Sequence, residues 1–312
     1  MHVLVTGGAG FIGSHIVDAC IARGWRVSVV DNLSTGSRAN LHPQATLHEL
    51  DIREERAAAL IAELKPDIVS HHAAQMDVRR SVADPAYDAE VNVVGSARLL
   101  QASADAAVKR FIFASSGGAI YGEPVVVPQD ETHPLAPMSP YGCAKLSVEH
   151  YLHYFRTVHG LSCVALRYAN VYGPRQNAKG EAGVVAIFAG RLLRGEPVTI
   201  NGSGEQTRDY VHVADVVAAN VAAAESAWQG SFNVGTGVET SVSALYKAMA
   251  ALTAPTNVVH GPAKAGEQIR SVIDGRKLRE LAGLQPPARL GERLAPTIDW
   301  FREGCVRRGN RV

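Results

Sequence analysis

Short apolar runs alternate with longer helical patterns through the first 170 residues of the chain. The apolar runs read HVLVT, RVSVV, ATLHEL, DIVSHHAA, RFIFASS and LSCVALRY. The pattern predicts helices between them at about 11–23, 53–64, 87–107 and 141–159. Near-continuous apolar strands that alternate with helices are typical of a parallel sheet with both faces covered. We therefore predict an α/β fold with a doubly wound parallel sheet.

The alternation loosens after about residue 170, where Gly and Pro become frequent. Shorter apolar runs, PVTI, SFNVG and NVVH, are mixed there with helical patterns near 213–227 and 241–251. This part predicts a smaller α+β lobe over the carboxyl edge of the sheet. The expected division is a nucleotide-binding domain at 1–170 and a substrate-binding lobe at 171–312, with a soft, interleaved boundary.

Composition narrows the function classes. The 312 residues carry a formal net charge of +1, with 46% hydrophobic and 20% charged residues. A balanced charge gives no general attraction to nucleic acid or to anionic membranes. The four cysteines form no C-x-x-C pair, and no apolar stretch is long enough to span a bilayer. We expect a cytoplasmic protein without a structural zinc site.

A glycine-rich turn, TGGAGFIGS, follows the first predicted strand and opens the first helix. Gly7, Gly10 and Gly13 allow a tight turn and a close backbone approach to a pyrophosphate at the helix N-terminus. Asp31 ends the second strand, where a carboxylate binds an adenosine ribose. That acid favours NAD over NADP, although Arg38 downstream weakens the preference. The pattern predicts a Rossmann fold with bound NAD.

Asp51, which ends the third strand, leaves two interpretations open. It could cap the helix that follows, or it could accept a hydrogen bond from the adenine amino group.

Tyr141 and Lys145 lie four residues apart at the start of a predicted helix, in SPYGCAK. They therefore share one helix face. A free phenol is a poor base at pH 7, but a nearby ammonium and a positive nicotinamide favour the phenolate and lower its pKa. The pair predicts a general base. The same spacing also occurs by chance on exposed helices.

The order of motifs resembles the extended short-chain dehydrogenases/reductases, the NAD-dependent epimerase/dehydratase family of nucleotide-sugar enzymes. The matching segments are TGGAGFIGSH, DNLSTG, DIR, HHAAQ, NVVGSARLL, FASSGGAIYG, SPYGCAK, LRYANVYGPRQ, RDYVHVADV and FNVGTG. Within the family, DNLSTG and the long segment after residue 179 most resemble enzymes that epimerise UDP-hexoses at the sugar 4-position.

The resemblance implies a third catalytic residue at the end of the fifth strand. The match indicates Ser116, with Ser115 as the alternative because the following loop is one residue longer than usual. Gly117 and Gly118 stand where dehydratases of the family carry an Asp-Glu pair. This difference argues against dehydration. Epimerisation of UDP-N-acetylglucosamine or UDP-glucuronate stays open, as does, less favoured, a non-catalytic NAD-binding role.

The resemblance also implies the binding residues. Those expected at the cofactor are Gly7, Gly10, Phe11, Ile12, Gly13, Asp31, Asn32, Ser34, Asp51, Ile52, Ala73, Ala74, Gln75, Asn92, Ser115, Tyr141, Lys145 and Tyr168. Those expected at the UDP-sugar are Ser116, Tyr141, Asn170, Arg208, Lys264, Glu267, Arg270 and Ser271.

Arg208 is the expected diphosphate clamp, because a guanidinium is permanently charged and binds two oxygens at once. Lys264 holds the place of a second clamp that is usually Arg, and Arg270 could substitute for it. Ser271 is small and would leave room for an N-acetyl group. His71 and His72 point to opposite faces of a strand, so we expect structural histidines and no metal. A homodimer formed through the helices near 87–107 and 141–159 is expected from the family.

Overall fold

The computed structural model describes residues 1–177, 183–263 and 268–307. Two predicted substrate residues, Lys264 and Glu267, lie outside the described residues.

Strands and helices alternate through the described chain. The strands are β1 (His2–Thr6), β2 (Arg26–Val30), β3 (Thr46–His48), β4 (Ile68–His71), β5 (Arg110–Ser116), β6 (Ser162–Tyr168), β7 (Asn170–Tyr172), β8 (Val198–Asn201), β9 (Thr207–Arg208), β10 (Tyr210–His212), β11 (Gly230–Val234), β12 (Thr240–Ser241), β13 (Val258–Gly261) and β14 (Arg270–Ser271). The helices are α1 (Phe11–Ala22), α2 (Glu55–Leu64), α3 (Val78–Ala83), α4 (Pro85–Ala89), α5 (Gly95–Asp105), α6 (Gly117–Ile120), α7 (Pro140–His159), α8 (Val184–Leu193), α9 (Val213–Glu225), α10 (Val242–Ala250), α11 (Arg276–Ala282) and α12 (Leu290–Arg307).

The central sheet has seven strands in the order β3-β2-β1-β4-β5-β6-β11. Every neighbouring pair in it is parallel. The order reverses between β1 and β4, which is where doubly wound sheets open the crevice that binds nucleotides. The predicted fold class is confirmed.

The alternation of side chains along the strands separates two apolar layers. Val3 and Val5 of β1 face a core that includes α1 and α9, whereas Leu4 faces the core under α2, α5 and α7. Since both faces are covered, the strands must be apolar throughout, as their sequences are. The carboxyl edge is left as the exposed end of the sheet, where side chains can meet a ligand.

A helical turn of the wide, π type spans Glu90–Val94 and joins α4 to α5. The single helix predicted at 87–107 is therefore two α-helices with this turn between them. Such insertions are frequent at functional sites because they redirect the side chains around them.

The smaller lobe has its own apolar core between α8, α10 and α12, with Phe188, Leu245 and Ile298 at its centre. Its strands form three small sheets, β10-β7, β12-β9-β14 and β13-β8.

The assignment of SFNVG to this lobe was wrong. The segment forms β11, which pairs with β6 at the edge of the central sheet, and the preceding α9 packs against α1. The boundary after residue 170 remains a prediction, and the chain crosses it again to complete the sheet.

Candidate active site

The glycine-rich turn leaves no space for side chains. Gly7 has a φ of +70°, and a Cβ there would lie 2.6 Å from the backbone nitrogen of Ala73 at the end of β4. A Cβ on Gly13 would lie 2.2 Å from the carbonyl oxygen of Gly7. Gly10 precedes α1, and no side chain caps the amino end of this helix. The turn therefore presents bare backbone N–H groups at the crevice, which suits a pyrophosphate.

Asp31 lies at the end of β2, as predicted, and is 7% exposed. Its carboxylate accepts hydrogen bonds from the backbone N–H groups of Ala9 (2.9 Å) and Leu33 (2.8 Å). Asp31 thus ties the glycine-rich turn to the loop after β2. Arg38, on that loop, forms an ion pair with Glu49 at the surface.

Asp51 and Asn32 meet at the same edge, where Asn32 Nδ2 donates to Asp51 Oδ2 at 2.9 Å. Arg53 also binds the Asp51 carboxylate through its side chain, and these hydrogen bonds lower the pKa of Asp51 to about 2. Glu54, not Asp51, stands directly before α2. The helix-cap interpretation of Asp51 was wrong, and the adenine interpretation stays a prediction.

The other predicted cofactor contacts lie around this crevice. Phe11 and Ile12 begin α1, and Ser34 donates its N–H to Asn32 Oδ1. Ile52 is buried beneath Gly95, and Ala73 donates its N–H to the Thr6 hydroxyl. Ala74 follows in the same segment after β4.

Helix α7 begins at the catalytic pair for local reasons. The Ser139 hydroxyl accepts from the N–H of Gly142 at 3.1 Å, and Pro140 occupies the first helical position, where an N–H would be unused. Gly142 brings the helix against the loop after β5, because a Cβ there would lie 2.4 Å from the Ala119 carbonyl oxygen. The motif SPYGCAK therefore fixes both where α7 begins and what it packs on.

Tyr141 and Lys145 are brought together as predicted. Lys145 Nζ lies 5.7 Å from the centroid of the Tyr141 ring and 4.7 Å from that of Phe113. The ammonium also donates to the carbonyl oxygen of Ala114 at 2.9 Å, at the end of β5. Lys145 is buried and Tyr141 is half-buried, which excludes the interpretation of an exposed pair at chance spacing.

The predicted lowering of the Tyr141 pKa, which depends on the ammonium together with a positive nicotinamide, stays a prediction. Burial and, second, the Asp88 carboxylate raise the pKa of Tyr141 to about 12, while a hydrogen bond with Ser116 opposes the shift. Burial lowers the pKa of Lys145 to about 8, and Asp88 opposes that change. Desolvation disfavours the charged form of each group and outweighs their proximity. The protein alone therefore holds the phenol protonated at neutral pH.

The structure separates the two serines of β5. Ser116 lies close enough to Tyr141 to oppose the rise in its pKa, whereas the Ser115 hydroxyl donates to Glu149 Oε1 at 2.6 Å. Glu149 is held by Arg167, whose Nη2 lies 2.7 Å from Oε2, and both side chains are buried. Geometry therefore favours Ser116 over Ser115 as the third catalytic residue.

Gln75 and Asn92 pack together between β4 and α5. Asn92 accepts from the N–H of Gln75 and donates to its carbonyl oxygen, each at 2.9 Å. Both side chains also donate to Asp88 Oδ1, at 2.8 Å from Gln75 and 2.9 Å from Asn92. The sequence reasoning missed Asp88. An acid four residues before Asn92 in an otherwise buried helical pattern was the available signal.

Tyr168, at the end of β6, stacks on His72 with ring centroids 6.3 Å apart, and its hydroxyl accepts from Asn220 Nδ2 at 2.8 Å. Burial lowers the pKa of His72 to about 3, which keeps the imidazole neutral. Within the described residues, no group of three metal-binding side chains comes together.

The substrate side of the crevice is built from strand ends of the smaller lobe. A Cβ added to Gly118 would lie 3.6 Å from Ser271 Oγ and 3.7 Å from Asn170 Oδ1, so these predicted residues face the loop after β5. Arg208 pairs in register with Ser271 across β9 and β14. Arg208 and Ser271 are thus adjacent, as a shared substrate surface requires.

The Arg270 guanidinium is bound to the Glu239 carboxylate. It forms two hydrogen bonds to Glu239, at 2.8 and 2.7 Å. Its use as a second phosphate clamp would require that ion pair to open.

The residues define a dinucleotide-dependent enzyme of the short-chain dehydrogenase/reductase type. The family model described as NAD dependent epimerase/dehydratase matches residues 3–235. The chain belongs to the NAD-dependent epimerase/dehydratase family, which confirms the predicted resemblance and NAD as the cofactor.

Named relatives cover nearly the whole chain. The UDP-glucose 4-epimerase of Mycolicibacterium smegmatis is 46% identical over 97% of this chain and 99% of its own length. The structure of UDP-glucose 4-epimerase from Thermotoga maritima with UDP-glucose is 49% identical, with a TM-score of 0.94 over 97% of this chain and 99% of that one. The UDP-glucose 4-epimerase of Thermus thermophilus in complex with NAD is 45% identical, with a TM-score of 0.92 over the same shares.

Proposed function

We propose that this protein interconverts UDP-glucose and UDP-galactose by NAD-dependent epimerisation at the sugar 4-position, through a transient 4-keto sugar. The observation that carries the proposal is the meeting of Ser116, Tyr141 and Lys145 at the carboxyl end of β5. It is supported by relatives named UDP-glucose 4-epimerase that match over nearly their full length.

The residues suit a bound dinucleotide. The glycine cradle, which any Cβ would fill, faces the crevice between β1 and β4, and Asp31 lies at the end of β2. Gln75, Asn92 and Tyr168 lie further along the same edge and would hold the nicotinamide end. Bound NAD would supply the redox chemistry by taking up a hydride from sugar C4 and returning it.

The residues of this chain would move the proton. As a phenolate, Tyr141 Oη takes the proton of the sugar 4-hydroxyl while the C4 hydride leaves, so the sugar loses one proton and one hydride. Ser116 Oγ donates a hydrogen bond to the reacting oxygen. After the 4-keto sugar turns over, Tyr141 returns the proton, and the reaction has no net redox change.

Lys145 supplies positive charge next to the phenol, while burial raises the pKa of Tyr141. The positive nicotinamide would complete the charge balance, because a second cation favours the phenolate. Arg208 would bind the diphosphate of UDP, and Asn170 would contact the sugar or the same diphosphate.

The test is the product mixture of purified protein with UDP-glucose and no added NAD. We expect UDP-galactose to accumulate to equilibrium, measured by chromatography. Absence of product both without and with added NAD would overturn the proposal, whereas activity only with added NAD would overturn tight retention of the cofactor.

A second substrate class is supported by Ser271. Its side chain is small, 3% exposed, and lies beside Asn170 around Gly118. We propose that UDP-N-acetylglucosamine is also accepted. Turnover of both UDP-sugars by one preparation tests this, and no turnover of the N-acetylated sugar would refute it. UDP-glucuronate tested in parallel would show whether a charged sugar also enters.

We further propose a cytoplasmic homodimer. No helix in the described ranges combines the length and apolarity needed to cross a bilayer. Helix α7 exposes Tyr151, Tyr154 and Val158, and Val94 is exposed beside the start of α5. These positions would meet their copies across a two-fold axis. Sedimentation of the wild type against Tyr154→Glu tests the assembly, and a monomeric wild type would refute it.

A further inference from the structure

Asp88 is a buried carboxylate in which one of the two oxygens has no hydrogen-bond partner. It is 1% exposed on α4, a helix of five residues. Its Oδ1 accepts from Gln75 and Asn92, but its Oδ2 is buried without a hydrogen-bond partner. Burial of a carboxylate is costly unless an opposite charge compensates for it. A positive charge on a neighbouring element would offset that cost.

Lys145 is a buried cation on the helix that packs against Asp88. Helices α3 and α4 and the π turn pack against α7, which carries Lys145 and Tyr141. Lys145 is 4% exposed, and Asp88 opposes the lowering of the Lys145 pKa by burial. Asp88 also adds to burial in raising the pKa of Tyr141. Among the described residues the two side chains form no direct ion pair, so the interaction acts through space in a region of low polarity.

Other ionisable groups near α7 do not replace Asp88. His71, at the end of β4, and His72, which follows it, are kept neutral by burial and by Lys145 itself. Glu149 is neutralised by Arg167. The other charged groups on α3, α4 and the π turn contact one another or lie at the surface. Asp77 pairs with Arg79, and Arg80 lies over the Tyr87 ring. Asp84 accepts from the N–H of Tyr87 at the start of α4, and Glu90 is exposed.

We propose that Asp88 is a positioning residue of the active site, the counter-ion that keeps the Lys145 ammonium charged and opposes premature ionisation of Tyr141. The role rests on the proposed function for its meaning, since it concerns the same proton transfer. Because the negative charge of Asp88 balances the positive charge of Lys145, formation of the Tyr141 phenolate needs a further positive charge. The general base therefore forms only when the cofactor is bound.

The design of the site supports this role. Gln75 and Asn92 hold Oδ1, and the π turn places Asn92 on Asp88 one helical turn later. These contacts fix the orientation of the carboxylate and leave Oδ2 as the free end. The same two residues are predicted cofactor neighbours, so they would link the position of Asp88 to that of the nicotinamide ribose.

The test removes the charge and keeps the shape. In Asp88→Asn, the amide oxygen can still accept from Gln75 and Asn92, and the amide nitrogen replaces the unpartnered Oδ2. Asp84→Asn is the matched control, because it removes the same charge from the exposed start of the same helix and keeps a good helix cap. Thermal unfolding and bound NAD are measured for each protein.

The first readout is the Lys145 pKa, followed by NMR of protein with carbon-13 in the lysine side chains. The chain has seven lysines, so the signal lost in Lys145→Met identifies Lys145. The carboxylate stabilises the ammonium, so its removal must lower this pKa. We expect a decrease of about one pH unit in Asp88→Asn and no change in Asp84→Asn. An unchanged Lys145 pKa in Asp88→Asn overturns the proposal.

The second readout is the pH dependence of kcat/KM. Without Asp88, both Tyr141 and Lys145 lose their protons at lower pH. Both limbs of the profile should therefore move to lower pH, by about one unit. A uniform loss of rate with unmoved limbs would assign Asp88 a purely structural role and overturn the proposal. If Asp88→Asn does not fold, Asp88→Ser, which keeps an acceptor, carries the same comparison.

Different results would contradict the proposed epimerase function and the proposed role of Asp88. Inactivity of the wild type would contradict the epimerase function, while the lysine titration needs no substrate and still judges Asp88. Normal wild-type activity with an unmoved Lys145 pKa would contradict only the role of Asp88.

Discussion

The cofactor side and the substrate side of the crevice are built by different means. At the cofactor side, backbone lies against backbone, and a single added carbon on Gly7 or Gly13 would collide within 2.6 Å. At the proposed substrate side, side chains on short strands supply the binding groups, and Arg270 is already paired with Glu239. An invariant pyrophosphate can be bound by backbone, whereas different sugars need side chains that can be exchanged. We therefore expect mutations to be least tolerated in the glycine turn and more graded across the smaller lobe.

The largest effect is expected from Gly13→Ala. Its new Cβ would lie 2.2 Å from the Gly7 carbonyl oxygen, where only backbone could move. We expect a loss of about 3 kcal/mol or more in the free energy of unfolding, with loss of bound NAD. Denaturant unfolding and the NAD content of purified protein measure both.

Gly291→Ala is the control for that substitution. It lies at the start of α12 with no atom within 4 Å of the new Cβ, and Ala should stabilise the helix by about 0.5 kcal/mol. Equal tolerance of the two substitutions would contradict the backbone-cradle interpretation.

Tyr141→Phe should separate chemistry from binding at the junction of the two sides. The ring remains to pack against Lys145, but the proton acceptor is gone. We expect turnover to fall by about 10²- to 10⁴-fold with NAD content unchanged. Tyr151→Phe, an exposed position on the same helix, should retain full rate. A Tyr141→Phe protein with normal turnover would remove the general base from the mechanism.

The smallest effect, and the most selective, is expected from Arg208→Ala. Loss of a bidentate cation should raise KM for the UDP-sugar by about 10- to 100-fold, and NAD content should stay the same. Arg270→Ala should change KM less, because Glu239 already binds that guanidinium. A larger effect at Arg270 would assign the clamp to Arg270 and require its ion pair to open.

Much of the fold could be predicted from the local pattern of apolar residues. Six of the strand segments that the sequence indicated form the sheet because apolar β-branched runs are stable only when both faces are covered. The sequence did not assign SFNVG to the central sheet, because its length and composition resemble those of the short strands in the smaller lobe. Only its pairing with β6 assigns it to that sheet. The wide turn at Glu90–Val94 likewise has no local signal in a helical pattern.

The sequence predicted which residues lie together in the candidate site, but not the burial and the charge around them. Spacing was enough to place Tyr141 beside Lys145, and two adjacent serines could not be distinguished until the strand showed which one reaches the phenol. The direction of the Tyr141 pKa depended on burial and on Asp88, which is 53 residues away in the chain. Helix caps and i,i+4 spacing are local, whereas desolvation is a property of everything packed around a group.

By itself, the sequence determined which six segments form strands, where the glycine-rich turn lies and that Tyr141 and Lys145 share a helix face, since each depends on residues close along the chain. Tertiary structure alone decided the edge strand, which of the two serines binds Glu149 and the charge that surrounds the phenol. Those features depend on which distant segments meet in a low-dielectric interior, where a single buried carboxylate changes the ionisation of its neighbours.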